Sequence, residues 1–120
     1  VAREEFLRGG KMAYVRRQES WDKRYLDDIA QFATSAVLDV LRTQLAEEPT
    51  PTTTELLMVN ASLMEVRNEG DKQRAAVFFD VLMREDPRAA QPEQVREVWH
   101  FVRPLDGSES WRLDGIQQVA

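Results

Sequence analysis

The sequence predicts an α+β fold: three N-terminal helices packed on a curved four-stranded antiparallel sheet, the whole shaped as a cone. Three observations carry this. Apolar residues recur at helical spacing through about residue 48. From Glu55 the period falls to two. The last third, Val95 to Val119, reads as two β-rich runs flanking Pro104-Leu105-Asp106-Gly107-Ser108-Glu109-Ser110. In that turn Pro fixes φ and Gly107 takes conformations other residues avoid. At 120 residues the chain is expected to form one domain, 1–120, with helices over about 3–48 and strands over about 55–119.

The first helix is expected over residues 3–21. Phe6, Leu7, Gly10, Ala13, Tyr14 and Trp21 share one of its faces. Gly10 weakens a helix there but permits close approach by another element. Arg17 lies on the same face, so it either snorkels to solvent or forms the wall of a polar pocket. Met12 and Val15 point the other way, among Arg8, Lys11 and Arg16. Apolar groups set among cations are either scattered exposed residues or a surface for a partner or lipid headgroups. Asp22-Lys23 marks a break. Tyr25, Leu26, Ile29 and Phe32 space a short second helix. Thr34 or Ser35 is expected to cap a third, through a hydroxyl that accepts from an unpaired backbone N–H. Its buried stripe is Val37, Leu38, Leu41 and Leu45, and Pro49-Thr50-Pro51 cannot continue it.

In the first strand Leu57, Val59, Ala61 and Leu63 alternate with Met58, Asn60 and Ser62. Glu69-Gly70-Asp71 makes a turn. The next strand, Arg74 to Arg84, is apolar on both sides, which implies a central strand covered on both faces; Asp80 interrupts the second side. In the third, Trp99 and Phe101 fall opposite Val98, His100 and Val102. In the fourth, Trp111 and Leu113 share a side, and Gly115 marks a candidate bulge.

Bulk properties exclude several function classes. The 42% apolar and 31% charged content is that of a soluble globular protein. With no cysteine there are no disulfides or thiolate metal sites, and the single histidine, His100, excludes a multi-histidine centre. Neither a metal nor another cofactor is expected. No apolar run is long enough for a membrane-spanning helix, and no signal-peptide pattern stands at Val1. A start without Met fits a domain cut from a longer protein. The net charge of −5 is uneven: residues 1–24 carry +3 and the remainder −8. That balance, with no basic aromatic strand face, disfavours nucleic acid as a partner. It leaves either an oriented electropositive surface or an ordinary solvated helix.

Candidate chemistry is sparse. No Gly-x-Ser-x-Gly elbow and no phosphate loop is present. His100 is either a half-exposed sheet histidine or a general base. Asp80, if it points into the cone among apolar neighbours, would be a usable base; otherwise it pairs with an arginine. Trp21, Trp99 and Trp111 are expected in the core or lining a pocket. The expected pocket comprises Tyr14, Arg17, Trp21, Phe78, Asp80, Trp99, His100 and Trp111. A sheet face left exposed would also serve a homodimer.

The order of elements resembles the nuclear transport factor two-like superfamily. More specifically, the pieces run Phe6-Leu7 through Tyr14-Val15 to Trp21, then Leu26-x-x-Ile29-x-x-Phe32 and Arg84-Glu85-Asp86-Pro87. They continue with Glu97-Val98-Trp99-His100-Phe101 and Trp111-x-Leu113-x-Gly115-Ile116-Gln117-Gln118. In this order they resemble the C-terminal domain of subunit 44 of the mitochondrial inner-membrane import translocase, in particular its bacterial relatives. The resemblance implies a non-enzymatic binding or scaffold domain, peripheral to a membrane, here a bacterial inner membrane. It also implies contact with anionic lipid such as cardiolipin, or with a protein partner, through N-terminal helices. The matching surface is Arg8, Lys11, Met12, Val15 and Arg16. Import-motor function does not carry over, because the long N-terminal region that engages the channel is not part of this sequence. Some members of the superfamily are isomerases or dehydratases, so a small-molecule isomerase or hydratase using Asp80 or His100 is the alternative.

Overall fold

A computed structural model describes residues 2–119; Val1 and Ala120 lie outside it. The helical spacings become α1 (Arg3–Asp22), α2 (Leu26–Ile29) and α3 (Ser35–Glu47). The alternating stretches become β1 (Glu55–Glu69), β2 (Lys72–Arg84), β3 (Glu93–Pro104) and β4 (Arg112–Gln118). The strands form one antiparallel meander in the order β1-β2-β3-β4. The sheet is curved and does not close, and the helices precede it in the chain, giving the α+β architecture read from the sequence.

The core lies between the helices and one face of the sheet. Successive side chains of a strand point to opposite faces, so every second residue of β2 is inward. Ala75, Val77, Phe79, Val81 and Met83 are all buried, with Trp99 and Phe101 of β3 and Leu113 of β4 beside them. Tyr14, Ile29, Ala33, Val37, Leu38 and Leu41 close over them from the helical layer. Tyr14, Phe79 and Trp99 meet with ring centroids 4.8–5.1 Å apart. This aromatic cluster fills the middle of the concave face.

Four local features depart from the sequence reading, each for a physical reason. First, β2 is central, but the helices cover only one of its faces. Phe78 and Leu82 are half-buried on the other face by strand neighbours, since Phe78 sits between Ser62 and Val98. Second, β1 carries a bulge between Leu56 and Met58. Leu56 therefore joins the core and Leu57 is exposed, reversing the simple alternation. Third, the β4 bulge falls on Asp114, the extra residue between the pairs His100–Gly115 and Phe101–Leu113. Fourth, Thr34 stands at the N-cap of α3, but its hydroxyl donates to Asp114 Oδ1 (2.8 Å) instead of accepting from the helix.

The end of α1 also positions the site. Tyr25 N–H donates to Ser20 O (2.7 Å) and Arg24 N–H to Trp21 O (2.8 Å), a Schellman closure. Glycine usually occupies the left-handed position of such a closure; here it is Arg24, at φ 59°. Its side chain offsets the strain by donating to Glu48 O, Trp21 O and Thr52 Oγ1 and lying over the Trp21 ring. Asp22 then fixes the proline-rich connection to the helix end, accepting from Thr52 Oγ1 and from both N–H and Oγ1 of Thr54. At the far edge, residues 32–34 bond to Leu113 through Leu113 N–H to Phe32 O and Thr34 N–H to Leu113 O, both 2.8 Å. That contact covers part of the β4 edge, which would otherwise offer unpaired backbone groups.

Candidate functional site

Three pockets open along α1; one, of about 380 Å³, sets Val15, Gln18, Glu19 and Asp22 against the start of β1, and the other two flank the aromatic cluster. The first of these two, at the C-terminal half of the helix, is a polar pocket of about 380 Å³. Its inner wall holds Tyr14 and Arg17 of α1 and Glu97 of β3, and Trp21, Met83 and Val95 supply apolar surface. Glu97 is buried because it shares the inward side of β3 with Trp99 and Phe101. Both its carboxylate oxygens are engaged, one accepting from Trp99 Nε1 (3.1 Å) and the other from Gln118 Nε2. Burial, reinforced by the neighbouring Glu97 carboxylate, pushes the Tyr14 phenol well above its ordinary pKa. Burial pulls the Arg17 guanidinium below its usual value, against the opposing fields of Glu97, Tyr14 and Asp22. Arg17 keeps some exposed surface, but its Nε is sealed from solvent and has no hydrogen-bond partner among the described residues. A buried donor left in this state costs about 1–3 kcal/mol.

The second opening, at the N-terminal half of α1, is an apolar groove of about 460 Å³. Phe6, Gly9, Met12 and Ala13 form one side, and Phe32 and Trp111 the other. Phe6 packs edge-on against Trp111 with centroids 5.1 Å apart. Met12 is 67% exposed at the lip. Arg103 lies over the Trp111 ring, 4.5 Å from its centroid.

The residues expected to form one pocket are therefore divided. Tyr14, Arg17 and Trp21 line the polar pocket. Trp99 is fully buried beneath Tyr14 and forms part of the core. Trp111 lines the groove. Phe78, Asp80 and His100 lie on the opposite face of the sheet, because strand alternation sets them out of phase with Phe79 and Trp99. There Asp80 faces Arg96 (3.6 Å) and accepts from Gln94 (3.0 Å). His100 Nε2 is 3.4 Å from Gln117 Oε1, in a shallow depression shared with Arg74 and Asp114. Burial would raise the Asp114 carboxyl, but hydrogen bonds from Arg74 and Thr34 outweigh it and hold the pKa low.

The expected contact surface of α1 is also divided. Arg8, Lys11, Met12 and Val15 are exposed, and Arg8 and Lys11 form no ion pair among the described residues. Arg16 is not free. It clasps Asp28 through Nε (3.0 Å) and Nη2 (2.7 Å), and its guanidinium stacks over Phe32. Glu97, Phe6 and Phe32 are site residues that the sequence reading did not single out for a site. The signal for Glu97 was its period-two phase with Trp99; the groove joins elements too distant in sequence for any spacing to reveal.

Compared with known families, residues 2–118 match the model described as Tim44-like domain. No curated protein and no solved structure matches the chain.

Proposed function

The chain belongs to the Tim44-like domain family, and from that premise we propose that it is a binding domain that docks on anionic membrane surfaces through the groove at the start of α1. Tim44-like domains are in general non-enzymatic, import-related domains with a scaffold or binding role. They are associated with membranes in general, and no described helix of this chain is long and apolar enough to cross one.

The observation that carries the reading is the groove itself. It sets exposed Met12 beside an apolar trough and the amphipathic ring of Trp111, with Glu5 and Arg16 in its lining; exposed Arg8 lies one turn before Met12, and exposed Lys11 is turned further round the helix. Tryptophan favours the boundary between hydrocarbon and water because one end of its ring is apolar and the other donates a hydrogen bond. Each free cation near an anionic surface contributes about 1 kcal/mol. Arg16 is neutralised by Asp28. The exposed cations Arg3, Arg8 and Lys11 are matched in number by exposed Glu4, Glu5 and Glu19, so α1 offers no net positive charge. The apolar groove therefore supplies most of the binding, and the cations beside it add only a weak, salt-sensitive preference for anionic headgroups.

The enzymatic alternative lacks comparable support. Asp80 is paired with arginine on the face away from both openings, and the ring nitrogen of His100 faces an amide rather than an orienting carboxylate.

Vesicles carrying brominated acyl chains test the proposal. Anionic brominated vesicles are expected to quench the fluorescence of Trp111, and the quenching should vanish in Trp111→Phe. Quenching unchanged by that substitution would place any membrane contact elsewhere, and no quenching at low salt would overturn the docking surface.

A further inference from the structure

The polar pocket at the other end of α1 has no part in the membrane reading, and its charges are arranged for a different kind of ligand. At its inner wall Arg17 presents a guanidinium with five N–H donors, of which the sealed Nε has no acceptor. Glu97, whose charge opposes the effect of burial on Arg17, accepts from Trp99 and Gln118 and makes no hydrogen bond to Arg17 among the described residues. The Arg17 Nε is thus left without an acceptor. Gln18 and Arg24 of the wall are satisfied internally: Gln18 donates to Asp22 and Thr54, and Arg24 to Glu48 O, Trp21 O and Thr52.

The pocket carries the opposite surplus in Glu48, Glu85 and Glu93. Burial and the fields of Glu93 and Glu48 raise the Glu85 carboxyl, so these three groups feel one another. A simple anion seated on Arg17 would have to share the pocket with three carboxylates. A simple cation would satisfy those carboxylates and leave Arg17 without its acceptor. A ligand with a carboxylate at one end and an ammonium at the other satisfies both. Tyr14, Trp21, Met83 and Val95 line the same pocket and offer apolar surface for a short carbon chain. A pocket of about 380 Å³ is at the size of known small-molecule sites.

We infer that this pocket binds an amino carboxylate, with its carboxylate on the Arg17 guanidinium and its ammonium among Glu48, Glu85 and Glu93. The apolar segment between the two charges selects for length as well as for charge. The Arg17 interaction supplies orientation, because a guanidinium meets a carboxylate in a fixed two-pronged geometry.

The test is a ¹⁵N NMR titration of the whole chain with three probes of one length: 6-aminohexanoate, hexanoate and hexylamine. The expected result is that 6-aminohexanoate shifts the Trp21 indole and Tyr14 amide signals with a Kd at least about tenfold below either one-ended probe. Arg17→Gln should abolish that advantage. Glu93→Gln, at an exposed position, should reduce it severalfold without disturbing the fold. Equal binding of hexanoate would make the site a plain anion site. Equal binding of hexylamine would reduce it to its acidic groups. No shift with any probe would leave only water in the pocket. Each of these three results overturns the inference, as does undiminished binding by a folded Arg17→Gln. If Arg17→Gln does not fold, Glu93→Gln and the one-ended probes decide. None of these variants touches the groove, so failure here leaves the membrane reading standing.

Discussion

The ring of Tyr14 on α1 lies stacked on that of Trp99 on β3, 4.8 Å between centroids and 27° from parallel. This contact joins the helical layer to the centre of the sheet and divides the polar pocket from the apolar groove. Trp99 has no exposed surface, and its Nε1 donates to the buried Glu97. Trp99→Ala would leave a large void and an orphaned carboxylate oxygen. We expect it to cost about 3–5 kcal/mol, read as a fall in the urea midpoint, or to prevent folding.

The glycines of α1 should respond in the opposite direction. A Cβ added at Gly10 would sit 3.8 Å from Phe79 Cζ, an ordinary contact, and one at Gly9 would meet nothing within 4 Å. The approach of the helix to the sheet therefore does not require glycine. Gly9→Ala and Gly10→Ala should each raise stability by up to about 1 kcal/mol through helix propensity. Thermal unfolding of the two variants checks this; a lowered Tm would mean that the helix sits closer to the sheet than described.

Asp22 holds the chain between α3 and β1 by accepting three hydrogen bonds from Thr52 and Thr54. Asp22→Ala should cost about 1–3 kcal/mol, because it leaves the Thr54 N–H and both hydroxyls without their acceptor. Amide exchange at Thr54 should accelerate in the variant. Unchanged protection there would show that the connection is held by other contacts.

Acid should reveal the α1–α2 clasp. Hydrogen bonds from Arg16 and Ser20 draw the Asp28 carboxyl from its ordinary 3.8 to about 2. Its folded value lies below its unfolded one, so its contribution is complete above about pH 4 and is lost as pH falls toward 2. Arg16 is half-exposed, and screening limits the effect to about 0.5–1 kcal/mol. Urea midpoints followed down from pH 5 should fall less steeply over that window in Asp28→Asn than in the parent chain. Parallel profiles would mean the clasp does not form in solution.

Much of the architecture was legible because burial imposes a period. The inward phase of Val77, Phe79, Trp99 and Phe101, the helix stripe of Val37, Leu38 and Leu41, and the hairpin around Gly107 all follow from one-dimensional spacing. The bulge at Leu57 was not legible, since an extra residue shifts the phase only after the partner strand is known; the one at Asp114 was signalled by the adjacent Gly115, but not its exact position. The same limit applied to the site. Spacing identified Arg17 as a cation on an apolar face, but its surroundings depend on Glu97, 80 positions away in the chain. Asp80, His100 and Phe78 carried suggestive chemistry, yet strand parity places them on the far side of the sheet. Arg16 looked like a free cation because its partner, Asp28, lies beyond the turn that ends α1.

Co-sedimentation of the chain with vesicles distinguishes docking on anionic membranes from its absence. The comparison uses cardiolipin-containing and neutral vesicles, each at low and high salt. We expect stronger retention on the anionic vesicles at low salt, loss of that preference at high salt and in Arg8→Ser/Lys11→Ser, and loss of retention in Met12→Asp. Arg16→Ser should bind about as well as the parent, since that guanidinium is already held by Asp28. Equal retention on neutral vesicles at low salt, or none on either at any salt, would contradict docking through the groove at the start of α1.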